Sequence, residues 1–243
     1  MFHLPSKVMI CQRCEEPLLK HSVVAFPNKP ITFTTIACSS CNSCVGIKLN
    51  GKLESIDEVL GSGGERNGWM KVTSDEDNVV YYVLNKVLYE QYEAPDVEKF
   101  ESTYDLPDSN DVLKILWYQG VAIGFYTLKL KGTYNEKTRC KYEMTTLDTA
   151  YIRCSCRRKG FGTSILKDLI TDHPDQDIGL SKPISTAMWN VLHKFLMQNS
   201  QYRLRFWEIE GTGREGERTL VWYSLNSKSK KKISKEGREL SNK

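Results

Sequence analysis

The stretch LDTAYIRCSCRRKGFGTSILKDLI, residues 147–170, decides the fold of this chain because three consecutive patterns lie in it. Residues 147–152 are rich in β-branched and aromatic side chains, which predicts a buried strand. A basic turn that contains two glycines follows the strand. Apolar side chains then recur at the spacing of one helix face, which predicts a helix. They are Phe161, Ile165, Leu166, Leu169 and Ile170.

The turn between this strand and helix has the pattern R-x-x-G-x-G, formed by Arg157, Gly160 and Gly162. The start of a helix leaves four backbone N–H groups without internal partners, and the peptide dipoles add partial positive charge there. Because glycine has no Cβ, we expect the backbone to approach a ligand closely at both glycines. With Arg158 and Lys159 beside it, the turn predicts a phosphate site. The alternative is a glycine pair that only turns the chain.

The segment 151–162 resembles the acyl-CoA-binding signature of the GNAT superfamily of N-acetyltransferases, R/Q-x-x-G-x-G/A. The resemblance implies that the backbone amides of residues 158–163 bind the pyrophosphate of acetyl-CoA. It also implies that the preceding strand splays from its neighbour to admit the pantetheine arm. The residues that it assigns to the cofactor are Ile152, Arg157, Arg158, Lys159, Gly160, Phe161, Gly162 and Thr163.

In the resembling superfamily an amine attacks the thioester directly, with a base for the amine and an acid for the leaving thiolate. The base is often a Glu at the place held here by Thr146, which cannot act as a base at neutral pH. Asp148, two residues on and on the same side of a regular strand, is the nearest substitute. His193 is the closest equivalent of the usual Tyr acid. The alternatives are a structural hydrogen bond for Asp148 and a surface position for His193.

A second resemblance extends over most of the chain. The stretches VVYYVLNKVLYEQ (79–91), KILWYQGVAIGFYTLK (114–129), LDTAYIR (147–153) and FWEIEG (206–211) are similar to the vertebrate family that includes the soluble lamin-associated protein. This resemblance implies a nuclear protein with a nuclear or lamina partner and no established enzymatic activity. Two functions stay open: an acyl-CoA-dependent N-acyltransferase acting on a protein amine, and a catalytically inactive interaction protein that retains the fold.

The net charge of +4 is unevenly distributed along the 243 residues. Residues 227–243 hold six lysines and one arginine against two glutamates, so the rest of the chain is close to neutral. A near-neutral body argues against direct nucleic-acid binding. The run KSKKK (228–232) is typical of a nuclear-import signal, and a solvated disordered tail is the alternative. We find no signal peptide and no apolar run of membrane-spanning length, which favours the nucleus or the cytoplasm.

Among the eight cysteines, the pairs Cys11-x-x-Cys14 and Cys38-x-x-Cys41 have the spacing of zinc knuckles. The resembling lamin-associated relative lacks these pairs, so we expect free thiols in a reducing compartment rather than zinc.

The predicted elements run as a strand pair, the signature strand, a helix, a strand, a helix and a final strand pair, which is the order of the resembling superfamily. We therefore expect an α/β (α+β) fold with a mixed, mostly antiparallel central sheet and helices on both faces. The expected divisions are Cys-rich N-terminal strands (1–58), an acetyltransferase-like domain (59–225) and a basic disordered tail (226–243).

Overall fold

The computed structural model describes residues 11, 13–15, 19–26, 30–61, 63–135 and 138–227. The candidate import signal at 228–232, and nearly all of the tail predicted at 226–243, lie outside the described residues. None of the helices in the described part of the chain combines the length and apolarity that crossing a bilayer requires.

A four-stranded antiparallel sheet comes first, with its strands in sequence order. They are β1 (Leu19–Ala25), β2 (Thr32–Cys38), β3 (Cys44–Leu49) and β4 (Lys52–Ser55). The last two strands are joined by Asn50 and Gly51, whose φ angles are 49° and 81°. Positive φ at both positions is what a two-residue Asn-Gly hairpin requires, and asparagine and glycine are the residues that tolerate it.

The second sheet has seven strands in the order β11-β10-β9-β8-β7-β6-β5. Its strands are β5 (Gly68–Lys71), β6 (Val112–Tyr118), β7 (Val121–Lys129), β8 (Thr145–Ile152), β9 (Ile178–Ser181), β10 (Phe206–Ile209) and β11 (Arg218–Leu220). Only the β8–β9 and β9–β10 pairs are parallel. The predicted mixed, mostly antiparallel central sheet is therefore confirmed.

The main helices are α1 (Ile56–Leu60), α2 (Asp75–Tyr82), α3 (Phe161–Asp172) and α4 (Thr186–Gln198). Helix α2 continues without a break as a π-helical segment, Val83–Tyr92. Serine N-caps begin three of these helices: Ser55 Oγ accepts the Glu58 amide at 3.3 Å, Ser74 Oγ the Asp77 amide at 3.1 Å, and Ser185 Oγ the Met188 amide at 3.2 Å.

Two hydrophobic cores lie on opposite faces of the seven-stranded sheet. Helix α2, its π-helical continuation and the four-stranded sheet share the first core with Phe125 of β7. Helices α3 and α4 share the second core with the next residue of β7, Tyr126. Successive side chains of a strand point to opposite faces, so β7 separates the two cores. Helices thus cover both faces, as the sequence predicts.

The end of the described chain matches the predicted final strand pair only in part, because the second strand of the pair, β11, is short. The strand ends at Leu220, and residues 221–227 are helical. Val221 and Leu225 are both buried in the second core. Their separation of four residues is one helical turn, so a helix buries both side chains against the same surface.

Candidate functional site

Strands β8 and β9 separate part of the way along β8. Their parallel pairing runs from Thr145 only to Leu147, which lies opposite Leu180. Strand β8 continues to Ile152 and is paired there with β7 alone. The edge of β8 beyond Leu147 therefore faces an opening, which agrees with the splay that the GNAT resemblance implies.

A β-bulge lies where this opening begins. In the pairing with β7, Thr149 is opposite Thr127 and Leu147 is opposite Leu128, which leaves Asp148 as the additional residue. Leu147 and Ala150 consequently pack against the same core although they are three residues apart. The regular alternation from which we placed Asp148 on the same side as Thr146 is thus interrupted. Asp148 Oδ1 accepts a hydrogen bond from Ser181 Oγ of β9, at 2.7 Å.

A cleft of about 540 Å³ extends from the end of β8 to the first turns of α3 and α4. A volume of this size is within the usual range of small-molecule sites. A smaller cavity of about 60 Å³ adjoins it and contains Asp148 in its wall. Four residues line both cavities: Tyr104, Ala150, Ser185 and Met188. Other residues of the larger cleft are Tyr89, Glu101, Tyr151, Ile152, Arg157, Arg158, Phe161, Gly162 and Val191.

The turn before α3 presents a run of free backbone amides at this cleft. Among the described residues, no hydrogen-bond acceptor is paired with the N–H groups of residues 158–163. The first backbone bond of the helix is from the Ser164 amide to the Gly160 carbonyl, at 3.1 Å. Gly160 is the N-cap of helix α3 and makes no side-chain cap, so none of the described side chains occupies these donors.

The structure favours glycine at the two positions of the turn for different reasons. A Cβ on Gly160 would meet open space, but its φ of 90° is a left-handed conformation that favours glycine. A Cβ on Gly162 would lie 2.8 Å from Val191 Cγ2 of α4. Gly162 therefore allows α3 and α4 to pack closely, and it also lines the cleft, where close approach of a ligand stays a prediction.

The two arginines of the turn, Arg157 and Arg158, make different contacts. Arg157 Nε donates to the Ile152 carbonyl at 2.9 Å, and its guanidinium lies 3.8 Å from Glu101 Oε1. These contacts hold the turn against the end of β8. Arg158 is exposed, lines the cleft and has a φ of 63°. Lys159 is exposed beside it, so the two side chains leave positive charge next to the free amides.

The open edge of β8 offers further donors. The Ala150 carbonyl accepts Tyr104 Oη at 3.2 Å, and the Ile152 carbonyl accepts Arg157 as described. The N–H and C=O groups of one strand residue point to the same edge, so the amides of Ala150 and Ile152 also face the opening. Tyr151 lines the cleft, and its buried hydroxyl has no hydrogen-bond partner among the described residues. Burial, and next to it the nearby carboxylate of Glu93, raise the pKa of Tyr151, which keeps this hydroxyl protonated.

Two residues considered for acid–base chemistry lie away from the cleft: His193, the candidate acid, and Thr146, which holds the usual position of the base in the resembling superfamily. His193 is exposed on α4 and is not among the residues that line either cavity. Residues 187, 188 and 191 of α4 face the cleft, and at 100° per residue position 193 lies on another side of the helix. Thr146 is fully buried, and its hydroxyl donates to the Met144 carbonyl at 3.0 Å.

Sequence reasoning missed the loop 101–108 as part of the site, because its acidic and polar composition is typical of a linker. Glu101 and Tyr104 of this loop line the cleft. The ring of Tyr104 stacks on that of Tyr89, with centroids 4.9 Å apart. Only the three-dimensional contact of loop and helix reveals this wall, since no periodic pattern links residues 89 and 104.

Comparison with known proteins identifies homologues without an assigned activity. No protein-family model matches the chain. Mouse Protein FAM169B is 32% identical over 216 residues, covering 87% of this chain and 60% of the relative. Human Protein FAM169BP is 35% identical over 125 residues, covering 50% of this chain and 64% of the relative. The chain thus spans less than two thirds of either relative, and neither name specifies a reaction.

Solved structures that resemble this chain in fold do so with low TM-scores. The putative N-acetyl transferase YhhK from E. coli, solved bound to coenzyme A, has a TM-score of 0.36 and 15% identity, covering 61% of this chain and 95% of that chain. A transcriptional regulator from Bacillus halodurans has a TM-score of 0.34 and 11% identity, covering 55% and 92%. An acetyltransferase from Vibrio fischeri has a TM-score of 0.30 and 18% identity, covering 46% and 93%. Scores this low do not by themselves support an activity.

Proposed function

We propose that the cleft binds an acyl-CoA and that the protein is an acyl-CoA-dependent N-acyltransferase acting on a protein amine. One observation carries this proposal. The amides of residues 158–163 have no acceptor in the described part of the chain, and they lie at the mouth of a cleft of about 540 Å³. Consecutive free amides at a helix start bind phosphate groups well, because donors and helix dipole act together.

The residues around the cleft are chemically suited to a CoA ligand. The diphosphate would bind the amides of 158–163, with Arg158 and Lys159 supplying countercharge. The amides of Ala150 and Ile152 and the unpartnered Tyr151 hydroxyl would bind the polar groups of the pantetheine arm. When bound, acyl-CoA supplies an activated thioester carbonyl for attack by an amine.

Asp148 is the residue that we propose as the general base. It lies at the point where β8 and β9 separate, in the wall of the smaller cavity. Its Oδ1 is oriented by Ser181, and no donor among the described residues is paired with Oδ2. Asp148 Oδ2 would accept the proton that the amine releases on attack. We assign no general acid, because His193 does not line the cleft.

A second candidate function is a catalytically inactive interaction protein that keeps the fold and the cleft. The positions of Thr146 and His193 favour it, because neither residue places an acid or base at the cleft. In this function the protein would act in the nucleus, with a nuclear or lamina protein as its partner. The two functions differ in turnover and share the fold.

Thermal unfolding in the presence of acetyl-CoA tests the binding site. Ligand at about 100 times its Kd stabilises a protein by about 2.7 kcal/mol, which raises Tm by several degrees in a chain of this size. Arg158→Glu should reduce this shift severely, and it adds little backbone strain because Arg158 already has positive φ. Lys167→Glu is the control. Lys167 is an exposed residue of α3 that does not line the cleft, and its substitution makes the same change of charge.

No shift in Tm at millimolar acetyl-CoA would reject acyl-CoA binding in the cleft and, with it, the proposed acyl transfer. Turnover is measured separately as thiol release with a panel of peptide amines. Asp148→Asn should lower the rate by about 100-fold or more if Asp148 is the base. Equal rates for the two proteins would remove Asp148 from the mechanism, and binding without turnover on any amine would favour the inactive interaction protein.

A further inference from the structure

Four cysteine sulfurs converge at the edge of the four-stranded sheet, away from the cleft. The Sγ atoms of Cys11, Cys14, Cys38 and Cys41 all lie within 4.8 Å of one another. Cys11 and Cys41, which are 30 residues apart, have their sulfurs 3.6 Å apart. All four are free thiols, two buried and two partly buried. The structure thus brings together the two Cys-x-x-Cys pairs for which the sequence favoured separate thiols.

The same backbone hydrogen bond closes both pairs, although they lie in different parts of the chain. The amide of Glu15 donates to the Cys11 carbonyl at 2.8 Å, and the amide of Asn42 donates to the Cys38 carbonyl at 2.9 Å. Glu15 and Asn42 have φ angles of 56° and 57°. Each pair is therefore followed by a left-handed residue that closes the same turn. A glutamate rarely adopts this conformation, so a constraint that acts on the turn accounts for it best.

We propose that Cys11, Cys14, Cys38 and Cys41 bind one Zn²⁺ as four thiolates in a closed structural site. With Zn–S bonds of about 2.3 Å, a tetrahedral site has its sulfurs about 3.8 Å apart, which is close to the observed spacing. Each thiol gives its proton to the solvent as its Zn–S bond forms. Four protein ligands leave no open position, so the metal would stabilise the fold and take no part in acyl transfer.

Neighbouring side chains match the charge of such a centre. Four thiolates and one Zn²⁺ carry a net charge of −2. Arg13, inside the first turn, donates to Ser43 Oγ and to the Gln91 carbonyl, both at 3.3 Å. Its guanidinium also lies over the ring of Tyr92, 4.9 Å from the centroid. Lys20 donates to Asn42 Oδ1 at 3.3 Å. Two cations thus contact Asn42 and Ser43, the two residues that follow Cys41.

The proposed zinc site would connect the N-terminal segment to the helix that borders the cleft. Tyr92 Oη and Gln91 Oε1, at the end of the π-helical segment, bond the Cys44 backbone at 3.0 and 3.1 Å. The next residue, Glu93, accepts the Cys154 amide at 2.8 Å, immediately before the turn with the free amides. Loss of the metal should therefore loosen the end of this helix as well as residues 11–15.

Elemental analysis of the full-length protein, purified under reducing conditions without an affinity metal, tests the proposal directly. We expect about one zinc per chain. The double variant Cys38→Ser/Cys41→Ser should lose it, whereas Cys44→Ser should retain it because Cys44 Sγ bonds the Gly46 carbonyl outside the cluster. Replacement of zinc by Co²⁺ in the wild-type protein should give the visible and thiolate charge-transfer absorption of a tetrahedral four-sulfur site.

The wild-type measurements decide the matter even if the double variant does not fold. Less than about 0.3 equivalents of zinc, together with no tetrahedral cobalt spectrum, would overturn the proposal. Stoichiometric iron in place of zinc, or a disulfide among the four cysteines in the reduced preparation, would also overturn it. A chelator should lower the Tm of the zinc-containing protein, and added zinc should restore it.

Discussion

Lys114 of strand β6 is a buried cation that lies between this strand and helix α3. Its Nζ lies 2.7 Å from Asp168 Oδ2 and 2.6 Å from Asp172 Oδ2, and its side chain is 10% exposed. The Tyr126 hydroxyl also donates to Asp168. Burial by itself would lower the pKa of Lys114, but the hydrogen bonds to the two carboxylates raise it above its ordinary value of 10.5. The ion pairs thus attach α3 to β6 and β7.

Asp168→Asn should lower the free energy of unfolding by about 2 kcal/mol, because it leaves Lys114 and Tyr126 with a weaker acceptor in a buried place. Asp172→Asn is the control and should cost less, since the Asp172 side chain is 41% exposed. Urea unfolding at neutral pH measures both. The Lys114 contribution is complete below pH 10.5 and is lost as the pH rises through the raised pKa, so the Asp168→Asn difference should shrink in strong alkali. A difference that is independent of pH would contradict this account.

Helices α3 and α4 are in contact at a point where only glycine fits. Gly162 of α3 faces Val191 of α4, and both residues line the cleft. The first turn of α3 also contributes the free amides. The spacing of these two helices therefore determines where the amides lie relative to the cleft.

Gly162→Ala should destabilise the protein by about 1–3 kcal/mol, because the added methyl group overlaps Val191. Val191→Ala should restore part of this loss in the double variant, since it removes the overlapping atom. Gly160→Ala serves as the comparison: its Cβ meets open space, so its cost of about 1–2 kcal/mol comes from the backbone angle alone. Denaturant unfolding of the wild type, the two single glycine variants and their two combinations with Val191→Ala measures these differences in stability. If Val191→Ala also restored the stability lost in Gly160→Ala, the contact between Gly162 and Val191 would not explain the effect.

The bulge at Asp148 acts at the level of a whole strand. It lets one part of β8 pair with both neighbours, while the part beyond Leu147 retains only β7. A regular strand would continue to pair with β9 and leave no opening. The additional residue thus coincides with the start of the cleft, which is the usual place of bulges near functional sites.

The molecule as a whole depends on a core that two sheets share. Phe33 of β2 is 3% exposed and packs edge-on against Tyr82, with ring centroids 4.9 Å apart. Phe26 lies 6.4 Å from Tyr81, whose ring in turn contacts Phe125 of the large sheet. The four-stranded sheet therefore covers apolar surface that α2 and the large sheet would otherwise expose.

Phe33→Ala should lower the free energy of unfolding by about 3–5 kcal/mol, through lost burial and the cavity that remains. Because the core is shared, we expect far-UV circular dichroism and tryptophan fluorescence to report one coincident transition. Val23→Ala on the same sheet is the control; Val23 is 76% exposed, and its loss should change stability by no more than about 0.5 kcal/mol. Two separate transitions would show that the small sheet folds independently of the large one.

The sequence alone determined the features that depend on neighbouring residues. The strand and helix on either side of the basic turn follow from periodicity, and the hairpin at Asn50-Gly51 follows from the φ angles that those residues tolerate. The free amides before α3 follow equally, because a helix start lacks acceptors whatever surrounds it. These properties are set within a few residues, so no knowledge of packing is needed to predict them.

Tertiary structure alone decided which distant residues meet. It buried Gly162 against Val191, left His193 outside the cleft and brought Tyr104 into the cleft wall. It also gathered Cys11, Cys14, Cys38 and Cys41 into one cluster. Such contacts depend on how strands pair and helices cross, and in the case of Asp148 on one additional residue in a strand. A pattern with a fixed period cannot encode them, because the bulge and the helix crossing change which side chains share a face.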